Sequence, residues 1–371
     1  MSAGARLSGE TIESIIALLS SNFDALKSCS LVSRAFCPPT RPFLFHTIRG
    51  IYIKLESSTD SMDALQSISS HVRVIRLSND DLYTDLMPRT ISNLDCLHTI
   101  IILGYVDWSS LSEEMVTALS SRATITSLEL YSIAFEDVDH FGHLIWSFPS
   151  LISLILFDIR SHNSISKKLD VCTESKPEVE HLTVYGSAIL PMFLTPTTSP
   201  ISLQRLKKFT MMEVFAVDFV GVAALMNVAP RLRELHFRSM QKDIVWRAPD
   251  PLDLFGVEII SLILHDSEAD GESLHYVSPE LILRWWLRSF ESGLELKSVT
   301  LKIFIQSRAN PLLNVNLWEN FDTAMGELWA LKDVNVVIRG PESCRKMLGK
   351  LIEEHCNGLY SSNVLKIDTR R

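Results

Sequence analysis

From residue 72 onward, apolar residues recur at positions i, i+3 and i+5. The template fits Val72/Ile75/Leu77, Leu97/Ile100/Ile102, Ile125/Leu128/Leu130, Leu151/Leu154/Leu156, Val179/Leu182/Val184 and Leu206/Phe209/Met211. It continues through Leu232/Leu235/Phe237, Ile259/Leu262/Leu264, Leu296/Val299/Leu301 and Leu331/Val334/Val336, and ends at Ser362/Leu365/Ile367. The first eight starts stand 25, 28, 26, 28, 27, 26 and 27 residues apart, and the later gaps are 37, 35 and 31. At 46% apolar content a single triplet arises by chance at roughly one position in ten, but seven near-equal gaps do not. The i+3 and i+5 residues share one face of a strand. Between these strands apolar residues take helical spacing over 136–147, 216–228, 278–290, 317–329 and 341–352. Helices between strands force a parallel sheet, because a parallel pair needs a crossover. The fold class expected is α/β, an open repeat array with a curved parallel sheet.

The repeats are irregular after about residue 259. Insertions are expected at 195–202, 239–257 and 265–278, the last of them acidic. Of the adjacent Trp285 and Trp286, the pattern places one in the core and leaves the other half-exposed.

The first 50 residues follow a different pattern. Ile12, Ile15, Ile16 and Leu19 share a helical face, with Ser8 placed to cap it and Glu10 in the first turn. A second helix runs from Asp24 through Leu26, Cys29, Val32 and Phe36, and Pro38-Pro39 are expected to stop it. Phe43, Leu44 and Phe45 then form an apolar plug. Three short helices with a polar outer face also suit the cap of a repeat array.

Composition narrows the function. The 371 residues carry 44 acidic and 35 basic side chains, a net charge of −9 with no long basic run, which argues against nucleic acid. No stretch of 18 apolar residues occurs, so no membrane span is expected. The start lacks a secretory pattern, and the six cysteines are scattered. Free thiols in the cytoplasm or nucleus are the expectation. No catalytic motif or phosphate loop is present, and no cofactor is called for. Asp137, Asp139, His140 and His143 form a metal-like group without a completed ligand shell, and read better as surface helix residues.

On each strand, positions i+4 and i+6 point away from the core, toward the face that repeat proteins use for binding. Arg76/Ser78, Glu129/Tyr131, Thr183/Tyr185 and His236/Arg238 are mixed pairs, and Ile263/His265 closes the series. Ile101, Leu103, Tyr131, Ile155, Phe157, Tyr185 and Met212 break the polar alternation expected of a wet face. An exposed apolar cluster of this kind marks an interaction site; the alternative is that inserted loops or the tail cover it, or that bulky residues simply suit strands.

The period lies in the range of leucine-rich repeats, roughly 20–29 residues. The N-terminal segment resembles an F-box. The match is carried by Ile12-x-x-Ile15-Ile16-x-x-Leu19, by Ala25-Leu26-Lys27-Ser28-Cys29-Ser30-Leu31-Val32-Ser33-Arg34-x-Phe36, and by Arg41-x-Phe43-Leu44-Phe45. It departs at Leu7-Ser8, where F-box proteins have Leu-Pro, and this points to a weaker adaptor contact. The resemblance is strongest to fungal F-box proteins with divergent repeats. It implies a helical domain over 7–50, a repeat domain over 51–371, and a non-catalytic substrate receptor of an SCF-type ubiquitin ligase. Leu7, Ile12, Ile15, Ile16, Leu19, Leu26, Cys29, Val32 and Phe36 would then face a Skp-family adaptor, and through it a cullin, while some of the nine must instead hold the helices together, and sequence does not separate the two sets. The apolar strand positions would hold an unidentified protein substrate. A repeat scaffold without any ligase role, its helical start serving as a cap, is the alternative. An enzyme acting through a pocket the sequence does not reveal is a third reading.

Overall fold

Parallel strands alternating with helices make this an α/β repeat protein. The computed structural model describes residues 7–50, 66–161, 176–185, 193, 199–212, 214, 218–238, 249–265, 278–305 and 311–369. Of the expected insertions, 195–198, 239–248 and 266–277 lie outside the described residues. The chain forms two compact units, Met1–Leu151 with Ser161–Asn163, and Ile152–Arg160 with Ser164–Arg371.

The first unit begins with three helices: α1 (Gly9–Leu18), α2 (Phe23–Val32) and α3 (Cys37–Leu44). The Ser8 side chain accepts a hydrogen bond from Thr11 N at 3.2 Å, which satisfies one orphan donor of α1. Asn22 caps α2 in the same way, through Ala25 N at 3.0 Å. Ser33, in extended backbone, ends α2. The expectation that Pro38-Pro39 stop a helix is therefore corrected. They open α3, where the first turn has no use for a proline's missing donor.

Strands Thr47–Arg49, Val74–Ser78, Thr99–Leu103 and Ser127–Tyr131 follow as a parallel ladder in sequence order. Ile75, Ile100 and Leu128 share one rung, and Leu77, Ile102 and Leu130 the next. The sequence period thus sets the register directly. One rung was missed. Ile48 pairs with Ile75, so the ladder starts at Phe45/Ile48/Gly50, and Phe45 stands 72 − 45 = 27 residues before Val72.

Among the described residues the second unit carries eight parallel strands of this ladder, again in sequence order: Ser153–Phe157, His181–Tyr185, Lys208–Met211, Glu234–Phe237, Ile259–His265, Ser298–Phe304, Asp333–Arg339 and Leu365–Asp368. Its helices over Asp218–Val228, Pro279–Phe290, Val315–Gly326 and Glu342–His355 match the expected helical stretches to within a few residues. The triplet at Ile259 is out of frame. Leu235 pairs with Ile260 and Phe237 with Leu262, so the structural triplet is Val257/Ile260/Leu262 and Ile259 faces the other way. Strand Ile259–His265 alternates buried and half-buried over seven residues, so two frames two residues apart fit its pattern equally well.

Five rings cluster in the second unit around Trp286. Trp286 lies 4.9 Å from Trp285, 5.2 Å from Phe237, 5.8 Å from Phe290 and 6.4 Å from Phe219. Both tryptophans are buried, against the expectation for one of them. Trp285 Nε1 donates to the Pro249 carbonyl at 2.7 Å. Leu252 N and Leu254 N donate to the hydroxyls of Ser289 and Ser292. These bonds tie the segment before strand Ile259–His265 to helix Pro279–Phe290, so this part of the insertion is packed structure.

Gly340 closes the turn after strand Asp333–Arg339 at φ +130°. A Cβ there would overlap the carbonyl oxygen of Ile305. Gly340→Ala is expected to lose about 2 kcal/mol or more, from backbone strain together with the displaced strand. A thermal melt unchanged from the parent protein would contradict this.

Candidate protein-interaction surfaces

The three N-terminal helices hold a small core of their own. Ile12, Ile16 and Leu26 are buried at its centre, with Leu19, Cys29, Phe36 and Leu44 packed around them. The nine residues expected to face a partner therefore divide. Ile12, Ile16 and Leu26 point inward and are the members of the set that hold the helices together, a division that spacing alone does not make. Ile15, Leu19, Cys29 and Phe36 are half-buried, and Leu7 and Val32 are exposed. The structure adds Leu18, Phe23, Leu31 and Phe43 to the exposed apolar set, with Leu18, Leu31 and Val32 at 85%, 80% and 79% exposure. Helical periodicity selects residues in phase with the core. Leu18 and Leu31 are out of phase with it, so a search for amphipathic faces passes over them, whereas Val32 keeps the helical spacing and stays exposed at the end of α2.

On the sheet face of the first unit, Ile101 is only 6% exposed. It sits in register between Arg76 and Glu129, two long side chains, and is not the open apolar residue expected. Leu103 remains exposed. The Tyr131 hydroxyl donates to Glu129 Oε2 at 3.1 Å. Burial, and then the Glu129 carboxylate, push the Tyr131 hydroxyl above its ordinary pKa, so it stays a neutral donor.

In the second unit the expected residues Ile155, Phe157 and Tyr185 lie on two adjacent strands and Met212 directly follows the next, Lys208–Met211, each half-buried. Phe157 and Tyr185 pair in register, with ring centroids 3.7 Å apart and planes at 31°. Further along, His265 stacks on Phe304 at 4.9 Å and 12°. Between these aromatic pairs runs a row set by the pleat and not legible as a motif: Ile155, Thr183, Thr210, His236, Ser261, Thr300 and Asn335. Its middle is hydroxyl-rich, and Thr210 is buried. The frame shift at Val257 is what hid Ser261 from this row.

Burial holds the proton affinity of His236 and His265 below the ordinary 6.5. His236 also meets Glu234 at 3.3 Å, which opposes the shift without reversing it. Below about pH 6.5 the unfolded chain therefore binds protons that the native protein refuses. This stability is full above that pH and is lost as pH falls toward the folded values. His265→Phe, which keeps a plate against Phe304, is expected to flatten that loss in urea midpoints followed from about pH 7 to about pH 5. An acid slope identical to the parent's would refute the assignment.

The metal-like group at 137–143 has a local role. Asp137 caps helix Val138–Trp146 by accepting from His140 N at 2.9 Å, and its Oδ1 lies 2.7 Å from His140 Nδ1. The hydrogen bond from the His140 backbone is the main reason the Asp137 carboxyl sits below its usual range. His143 packs edge-on against Trp146. The Cys356 thiol is pushed up to about 12 by burial, so it is not a nucleophile.

One further exposed apolar set belongs to the second unit. Phe255, Leu294 and Trp329 each open the turn before a strand, on three consecutive strands. Each stands two residues before the first apolar position of its triplet, outside the three positions that the template counts.

Among the described residues no helix is long and apolar enough to cross a membrane. No family model and no curated protein matches the chain. Among solved structures, it is similar to an internalin of Listeria monocytogenes at 12% identity and a TM-score of 0.31, over 84% of this chain and 70% of that one.

Proposed function

We propose that the chain is a receptor subunit of an SCF-type ubiquitin ligase. It binds a Skp-family adaptor through helices α1–α3 and a protein substrate through the sheet face of the repeats. The observation that carries this reading is the exposure of Leu18, Leu31 and Val32 on a helical unit that packs its own core without them. The Cys29-Ser30-Leu31-Val32-Ser33-Arg34 run, which gives the F-box resemblance, contains two of these three. The chain's part in the mechanism is binding. Holding substrate and adaptor at once raises the local concentration of substrate lysines near the ubiquitin-charged subunit. Catalysis belongs to other subunits.

A second reading is a repeat scaffold that uses its sheet face and has no ligase role. Its support is Ser8, which caps α1 by a hydrogen bond where F-box proteins carry proline, so the helices stand complete as a cap. Affinity capture of the full chain, co-expressed with adaptor and cullin, separates the two. The receptor reading expects both to co-purify. Recovery of neither, from a folded chain, leaves the scaffold.

A further inference from the structure

Among the described residues, the sheet face of the second unit carries two cations without an ion-pair partner. Arg238 continues the outward alternation of strand Glu234–Phe237, and Lys302 is an outward residue of Ser298–Phe304. Both are exposed, and neither has an ion-pair partner among the described residues. The other charges on this face are matched: Lys208 with Glu234 at 3.6 Å, Arg339 with Asp368 at 3.4 Å, and Lys366 with Asp333 at 2.5 Å. On a chain with net charge −9, these two cations on one face suit an anionic ligand.

The two cations stand two strands apart. Phe237 pairs with Leu262, so Arg238 faces Ile263, and Ile263 pairs with Lys302. Neighbouring strands lie about 4.8 Å apart, so the separation is about 10 Å. A polyproline II segment rises about 3.1 Å per residue with three residues per turn, which brings residues i and i+3 to one side at about 9 Å. Two carboxylates at that spacing meet Arg238 and Lys302 together. Ile263 lies between them, and the His265–Phe304 stack and the hydroxyls of Ser261 and Thr300 line the adjoining positions.

We propose that this site takes an acidic, extended segment of the partner protein, with Asp or Glu at i and i+3 and a small or apolar residue over Ile263. The inference rests on the reading that the sheet face holds the substrate, and it names the chemistry of that substrate. Charge complementarity selects the occupant: two cations about 10 Å apart call for two carboxylates at that spacing, and nucleic acid would need a wider basic field.

The test is fluorescence anisotropy of the full chain with a short labelled Glu-Pro-Pro-Glu peptide, against the same peptide with glutamines. The glutamate peptide is expected to bind at least about tenfold tighter, with affinity falling as salt rises. Arg238→Glu with Lys302→Glu should reduce it to the glutamine level, and the neutral pair Arg238→Gln with Lys302→Gln should fall between. Both residues are exposed, so thermal melts of these variants should match the parent. Equal binding of the two peptides, or full binding by the charge-reversed variant, would overturn the proposal. So would competition by inorganic phosphate or a short oligothymidylate as effective as that by unlabelled peptide. Capture of the adaptor is read in parallel. Lost peptide binding with adaptor retained in the parent chain rejects this site alone, whereas peptide binding without adaptor rejects the receptor reading alone.

Discussion

Replacing Trp286 with alanine is expected to remove about 3–5 kcal/mol of stability from the second unit. The side chain is fully buried, and four aromatic rings surround it. Those rings belong to helix Asp218–Val228, strand Glu234–Phe237 and helix Pro279–Phe290 itself, so three elements would have to move to close the cavity. Rigid aromatic neighbours collapse poorly, which places the loss in the upper part of the range for large-to-small changes. Trp286→Phe provides the contrast. The indole Nε1 is buried without a hydrogen-bond partner, so phenylalanine removes an orphan donor whose desolvation costs about 1–3 kcal/mol. That gain offsets much of the lost area, and the net change should be about 1 kcal/mol or less. Denaturant melts of the three proteins check this. An alanine variant within about 1 kcal/mol of the parent would refute the packing argument.

The double change Leu31→Asp with Val32→Asp is expected to weaken adaptor capture by at least about a hundredfold, because two carboxylates would be desolvated in an apolar contact. Stability should stay within about 0.5 kcal/mol, since both side chains already face solvent. Leu26→Asp makes the opposite prediction. It places a charge inside the Ile12/Ile16/Leu26 core, so it should unfold the helical unit and lose capture together with structure. Sequence alone grouped Leu26 with Val32 as contact residues, and a variant of that pair would have confused folding with binding. If the exposed pair retains full capture, the adaptor contact does not run through α2.

What could be read in advance follows from which property repeats. The apolar i+3 and i+5 positions pair rung to rung through both units because the pleat has a period of two and the core lies on one side. The ladder's first rung escaped because its i+5 residue is Gly50, which no apolar template detects. Gly50 has no room for a side chain in any case, since a Cβ would overlap the buried Asp81 carboxyl. The frame error at Ile259 came from a strand in which Ile259, Ile260, Leu262, Ile263 and Leu264 leave two registers equally apolar. The interaction surfaces were only partly legible for a different reason. Exposure depends on neighbours from other repeats: Ile101 is covered between Arg76 and Glu129, whereas Phe157 meets Tyr185 and stays accessible. The unmatched charge of Arg238 and Lys302 depends on which carboxylates the register brings near, and no local pattern records that.

Calorimetric titration of a purified Skp-family adaptor into the full chain tests the central claim most directly. The account predicts saturable one-to-one binding with a negative heat-capacity change from the apolar residues of α1 and α2. Absence of heat and of a co-eluting complex at adaptor concentrations well above about 10 μM, with the chain folded, would contradict it.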